Sequence, residues 1–281
     1  MGNFGIRYLV VLALVAGFFT NAVACGTGLY QVSMREDFDE ERVSDPATVT
    51  PSAPTYGIHA VNGWAKIPIM IRFGTSMNPD QKKELSDAMK QWEWAVGRKL
   101  FDIQGVHGGV DGDNFQDLYS SLKDNINGEY MDTNWSKTAK PSQVLATTIW
   151  DNGVDSSVIT TADIRFNSQY YIIGDSLALS ATGNKEVVDM QSLALHELGH
   201  FLGLAHIDPQ IDKYSIMNPS LFIGEGLTSR ELSRDDIARI QKIYGCAGTA
   251  CDIDALMKQQ NTALAEQQAT KTQVKTGGAA H

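Results

Sequence analysis

The stretch "HELGHFLGLAH", residues 196 to 206, constrains this chain more than any other, because it gathers three of its six histidines beside one glutamate. Residues four apart share a helix face, so His196 and His200 present their imidazoles to one point. Glu197 is rotated enough to miss that point yet lies beside it. Gly203 can leave the helix in a left-handed conformation and bring His206 back to the same place. Three neutral imidazoles with a fourth position open describe a catalytic zinc site, whereas structural sites are closed by four protein ligands. Glu197 then stands where a general base meets the water on the metal.

The flanking sequence supplies elements to hold such a helix. In "KIPIMIRF", Ile67, Ile69, Ile71 and Phe73 alternate as in a half-buried strand, and Pro68 places it at an edge or just at its start. Asn78 and Pro79 open a helix whose apolar face is Leu85, Met89, Trp92 and Val96, and Gly97 ends it. Residues 102–142, rich in Gly, Asp and Asn, read as an insertion, and His107, Asp111 and Asp113 within it read as a solvated loop rather than a cation site. "QVLATTIW" and "ADIRFN" are strand candidates, with "SLALSA" at 176–181 a third. In "LSRDDIARIQKIYG", Ser233 caps a helix with Asp236 three residues on, Ile237, Ile240 and Tyr244 buried, and Gly245 as stop.

The ends have a different composition. Residues 1–24 read as an export signal, with Arg7, the apolar run "YLVVLALVAGFF" and the small-residue site "NAVAC". Residues 25–62 are acidic, then rich in Pro, Ser and Thr, and suit a tether or short pro-segment. The expected catalytic domain covers 63–248, and the tail 249–281, poor in large apolar residues, reads as disordered or as a frayed helix. Of three cysteines, Cys246 and Cys251 can close a small disulfide loop, leaving Cys25 over. Cys25 follows Ala22-Val23-Ala24, which resembles a bacterial lipobox with Cys25 as the lipidated residue. The same residues also form an ordinary cleavage site after Ala24. The net charge of −10 comes with no basic cluster, which argues against nucleic acid as a partner.

His196, Glu197, His200, Gly203 and His206 in H-E-x-x-H-x-x-G-x-x-H resemble the metzincin metalloproteases, and Met217 in "YSIMNPS" is similar to the methionine that underlies their zinc. "SIMNP", with Pro219, and the helix "LSRDDIARIQKIYG" resemble the matrixin branch most closely, over about residues 65 to 245. That resemblance implies an α+β fold: a twisted mixed sheet, a backing helix, an active-site helix and a small C-terminal subdomain with one helix. It further implies substrate pairing along an edge strand, expected at Leu177, Ala178 and Leu179, and a pocket wall at Ser220, Leu221 and Phe222. Ile207 departs from the serine common in matrixins, no cysteine-switch motif is present, and no loop for structural zinc or calcium is recognisable. The expected function is zinc-dependent hydrolysis of peptide bonds by a monomer, on protein or peptide substrates, exported and either lipid-anchored or secreted. The alternative is a zinc-stabilised surface lipoprotein that binds without catalysis.

Overall fold

A computed structural model describes residues 30–33, 55–107, 126–138 and 140–263. The export signal, Cys25, Asp111, Asp113 and the tail beyond 263 lie outside the described residues. In chain order the elements begin with β1 (Tyr30–Ser33), β2 (Gly63–Trp64), β3 (Ile69–Gly74), α1 (Pro79–Val96), β4 (Phe101–His107) and β5 (Asn127–Asp132). There follow β6 (Ala146–Asp151), β7 (Val158–Ile159), β8 (Thr161–Asn167), β9 (Tyr171–Gly174), β10 (Glu186–Asp189) and α2 (Met190–Phe201). The last are β11 (Ser220–Ile223), α3 (Arg234–Tyr244) and α4, a helix over 253–263. No helix among the described residues is long and apolar enough to cross a membrane.

Five strands form one mixed sheet in the order β4-β3-β5-β8-β6, with β6 antiparallel to β8 and the other neighbours parallel. The chain is α+β, with α1 and α2 packed together and α2 lying on β6 and β8. Alternation drives β3: Ile69, Ile71 and Phe73 are buried while Met70 and Arg72 face solvent. β3 lies inside the sheet between β4 and β5, so Pro68 marks only its start. Asn78 and Gln81 cap α1 reciprocally, and Gly97 closes it in the left-handed conformation. Its buried Trp92 donates to the carbonyl of Leu195 in α2 at 3.1 Å, tying the backing helix to the active-site helix. Ser233 and Asp236 cap α3, whose Tyr244 hydroxyl donates to Leu202 O at 2.8 Å.

Four sequence expectations change. The supposed insertion at 102–142 contributes most of β4 and all of β5 to the main sheet. β4 is an exposed edge, and β5 buries charged residues such as Asp132, paired with Arg165 at 3.0 Å, so neither strand shows apolar alternation. Residues 176–178 of "SLALSA" form a turn, because the carbonyl of Asp175 accepts from the N–H groups of both Ala178 and Leu179. Residues 55–62, read as tether, pack on the main body, with Ala60 fully buried. Beyond the anticipated C-terminal helix α3, the tail begins with α4, which buries Leu256 and exchanges hydrogen bonds between Gln260 and Leu232. Cys246 and Cys251 are joined by a disulfide just before α4.

Within β5, Glu129 is fully buried, and neither carboxyl oxygen meets a hydrogen-bond donor among the described residues. Burial, and then the charge of Asp163, push its pKa well above the ordinary 4.5. Folding therefore favours the protonated form: stability is fully present below pH 4.5 and declines as pH rises toward the folded-state value. Glu129→Gln should remove this decline. The variant should gain on the wild type by about 1.4 kcal/mol per pH unit through that window, read from urea midpoints across the pH range. A stability gap independent of pH would refute the assignment.

Candidate active site

The site is built where α2 ends. Asp189 caps the N-terminus of α2 by accepting from Ser192 N, and Arg230 clamps Asp189 Oδ2 at 2.8 Å through Nε. Burial pushes the Asp189 carboxyl up, but Arg230 and Ser192 outweigh it and hold the pKa below the ordinary range. Arg230 also reaches Asp175 at 2.7 Å and Glu84 at 3.2 Å, so its guanidinium is the cation shared by these three carboxylates. The helix is thereby fixed at its start.

His196 and His200 are fully buried one turn apart on α2. Their Nδ1 atoms face the carbonyl oxygens of Ile216 at 2.7 Å and Leu204 at 2.8 Å. A carbonyl only accepts, so each Nδ1 carries the proton and each Nε2 presents a lone pair. Burial, and then the neighbouring His200, push the His196 pKa well below its usual value, and burial pushes His200 down to about 4. Both rings are neutral at pH 7, as metal ligation requires.

The three Nε2 atoms converge, with His200 at 2.9 Å and His206 at 3.3 Å from His196. Tetrahedral zinc with Zn–N bonds of 2.0–2.1 Å needs ligand nitrogens about 3.3 Å apart, so the donor set fits such an ion. A metal ion can be held here by His196, His200 and His206.

His206 returns because Gly203 adopts φ +107°, which few residues with a side chain adopt. Leu204 N then donates back to Gly199 O at 2.9 Å. The segment from Gly57 to Ala60 braces this bend: His59 N and Ala60 N donate to Gly203 O, and Ala205 N donates to Gly57 O. His59 also donates from Nε2 to His200 O at 2.8 Å and stacks on Trp150 of β6. A Cβ on Gly203 would lie 2.9 Å from Ala60 O. Gly203→Ala is therefore expected to destabilise the fold by about 1–3 kcal/mol and to displace His206. Thermal unfolding together with zinc retention against a graded chelator checks this; unchanged retention would refute the displacement.

Below the imidazoles, residues 215–218 turn back under α2. Met217 is fully buried, its carbonyl accepts from Ile207 N at 2.9 Å, and it fills the space a Cβ on Gly199 would enter, 2.2 Å from Sδ. Asp236 of α3 holds the turn by accepting from Ser215 Oγ at 2.5 Å and Ile216 N at 2.9 Å. Pro219 follows and leads into β11.

Comparison with known proteins agrees with this arrangement, since the matrixin family model matches residues 66–245. The chain belongs to the matrixin family. Among its relatives is "Metalloendoproteinase 5-MMP" of Arabidopsis thaliana, 44% identical over 59 residues, which are 21% of this chain and 15% of the relative. "Metalloendoproteinase 1-MMP" of the same plant is 38% identical over 80 residues, 28% of this chain and 19% of the relative. "Metalloendoproteinase 1" of Glycine max is 44% identical over 57 residues, 20% and 17% of the two chains. Each alignment thus spans under a fifth of the relative's length.

In this matrixin, His196, Glu197, His200, Gly203, His206 and Met217 come together as one site. Leu177, Ala178 and Leu179 do not form an edge strand: the outermost strand on the side of the sheet nearest α2 is β6. Ser220, Leu221 and Phe222 do form a strand, β11, which pairs antiparallel with β1, Ser220 opposite Ser33. Sequence reasoning missed Thr148, whose Oγ1 lies 2.6 Å from Glu197 Oε2, and the hold of Asp236 on the turn. Asp236 was legible only as a cap residue, and Thr148 gave no local signal.

Proposed function

We propose that this matrixin is a zinc-dependent endopeptidase. The observation that carries the reading is the convergence of three imidazole Nε2 atoms, those of His196 and His200 on neutral rings, beside the buried side chain of Glu197. A zinc ion held by His196, His200 and His206 would polarise a carbonyl and make water acidic enough to lose a proton near pH 7. Glu197 takes that proton on its carboxylate and returns it to the leaving amine. Met217 and the Gly203 bend keep the three ligands in register, the second through its hydrogen bonds to the segment from Gly57 to Ala60.

The substrate strand is assigned to β6 instead of Leu177 to Leu179. β6 pairs with β8 on one side and with no other strand among the described residues, so its outer edge offers backbone groups to an extended peptide. Its Thr148 touches Glu197, which puts that edge next to the base. Ala178 N and Leu179 N instead donate within their own turn. The segment Ser220 to Phe222 is retained as a pocket wall. Export by residues 1–24, with Cys25 as lipid attachment point, places the enzyme at the cell envelope or outside it.

The test is turnover of a quenched peptide library by residues 26–281 with zinc content measured in parallel. Cleavage abolished by a chelator and restored by zinc supports the reading. Stoichiometric zinc without cleavage of any peptide overturns it.

A further inference from the structure

Thr148 sits in β6 with 4% of its surface exposed, and Glu197 in α2 with 1%. Thr148 Oγ1 lies 2.6 Å from Glu197 Oε2 and 3.0 Å from the Glu197 carbonyl oxygen. Carboxylate and carbonyl oxygens only accept, so the threonine hydroxyl is the donor in this contact. We propose that Thr148 is the positioning residue that sets the orientation of the Glu197 carboxylate.

A glutamate side chain turns about three bonds, and its free carboxylate would spread over several rotamers. A short hydrogen bond to a charged acceptor is among the stronger neutral-donor contacts, and here it selects one of them. The donor is itself stiff. Threonine is branched at Cβ, and its backbone is locked in register with β8, Thr148 opposite Ile164. The base is thereby referenced to the sheet as well as to its own helix. Because Thr148 belongs to the strand assigned above to substrate, the orientation of the base and the seat of the peptide share one rigid element. A shift of β6 relative to α2 would move both together. This inference rests on the endopeptidase reading.

The test uses residues 26–281 loaded with zinc, comparing wild type, Thr148→Val, Thr148→Ser and the pair Glu197→Ala and Glu197→Ala/Thr148→Val. Thr148→Val keeps the shape and removes the donor. It should lower kcat roughly tenfold to a hundredfold with KM within about twofold and zinc content intact. Thr148→Ser should recover kcat to within about threefold, since it restores the hydroxyl. Once Glu197 is alanine, adding Thr148→Val should cost nothing further, because the group it orients is gone. A loss in KM alone, failure of serine to rescue, or an additive loss in the double variant would each overturn the proposal.

A second readout does not need activity. With glutamate labelled at the carboxyl carbon, the Glu197 resonance, identified by its loss in Glu197→Gln, should move in Thr148→Val and stay in Thr148→Ser. Wild-type inactivity would defeat the endopeptidase reading, while this resonance would still decide the Thr148 contact. Should Thr148→Val fail to fold, the serine variant and its resonance decide instead: a displaced Glu197 signal despite the hydroxyl overturns the proposal.

Discussion

Glu197→Ala is expected to lower kcat by about 10²- to 10⁴-fold while zinc content stays at one per chain, because it deletes the base and leaves the three ligands. The side chain is 1% exposed and its carboxylate is held by Thr148, so truncation opens a small cavity. His196 and His200 keep their carbonyl partners, Ile216 and Leu204, neither of which touches Glu197 in the site. Glu197→Gln sharpens the comparison: its amide oxygen can still accept from Thr148, yet it cannot take up the proton. Both variants should therefore be equally slow. Peptide turnover with metal analysis on the same samples checks this. A glutamine variant with near-wild-type kcat would remove Glu197 from proton transfer.

Asp236→Ala should be the most destabilising single change in the support of the site, by about 3–5 kcal/mol. Its carboxylate is fully buried and accepts from Ser215 Oγ, Ile216 N, Ser233 N and Arg239 Nη2. Alanine removes the acceptor from all four donors and leaves the guanidinium of Arg239, whose side chain is 12% exposed, without its carboxylate and with only Ser215 Oγ, at 3.2 Å, among the described residues. The consequence reaches the metal ligands, since the carbonyl of Ile216 orients His196. Unfolding temperature should fall by roughly 6–20 °C, and zinc should be lost at lower chelator concentration than in the wild type. A drop in stability with unchanged zinc retention would mean that the turn keeps its shape without Asp236.

What could be read from the sequence was local in the chain. The three histidines and Gly203 lie within eleven residues: helix geometry predicts the convergence of His196 and His200, and Gly203 the return of His206. Asn78 announced its helix through the proline beside it, and Ser233 through Asp236 three residues on. Thr148 and Glu197 are 49 residues apart, so nothing near either one signals their meeting. β5 escaped notice because its buried positions hold Glu129 and Asp132, paired or isolated in three dimensions, where a strand pattern expects apolar residues. Residues 176–181 misled in the opposite direction. Their alternation of Leu and Ala with Ser suits a strand, but Asp175 gathers the following N–H groups into a turn. Residues 57–60 sit next to a Pro- and Ser-rich stretch, and their role depends on Gly203, well over a hundred positions later.

The antiparallel pairing of β1 with β11, Tyr30 opposite Ile223, makes one stretch of this chain a ligand for another. Such a ligand is not diluted when the protein is. Its effective concentration is set by the chain that joins it to the body and not by the concentration of the protein. Any external strand seeking the same edge of β11 competes at that local concentration, and its apparent affinity is scaled by the fraction of molecules in which β1 has let go.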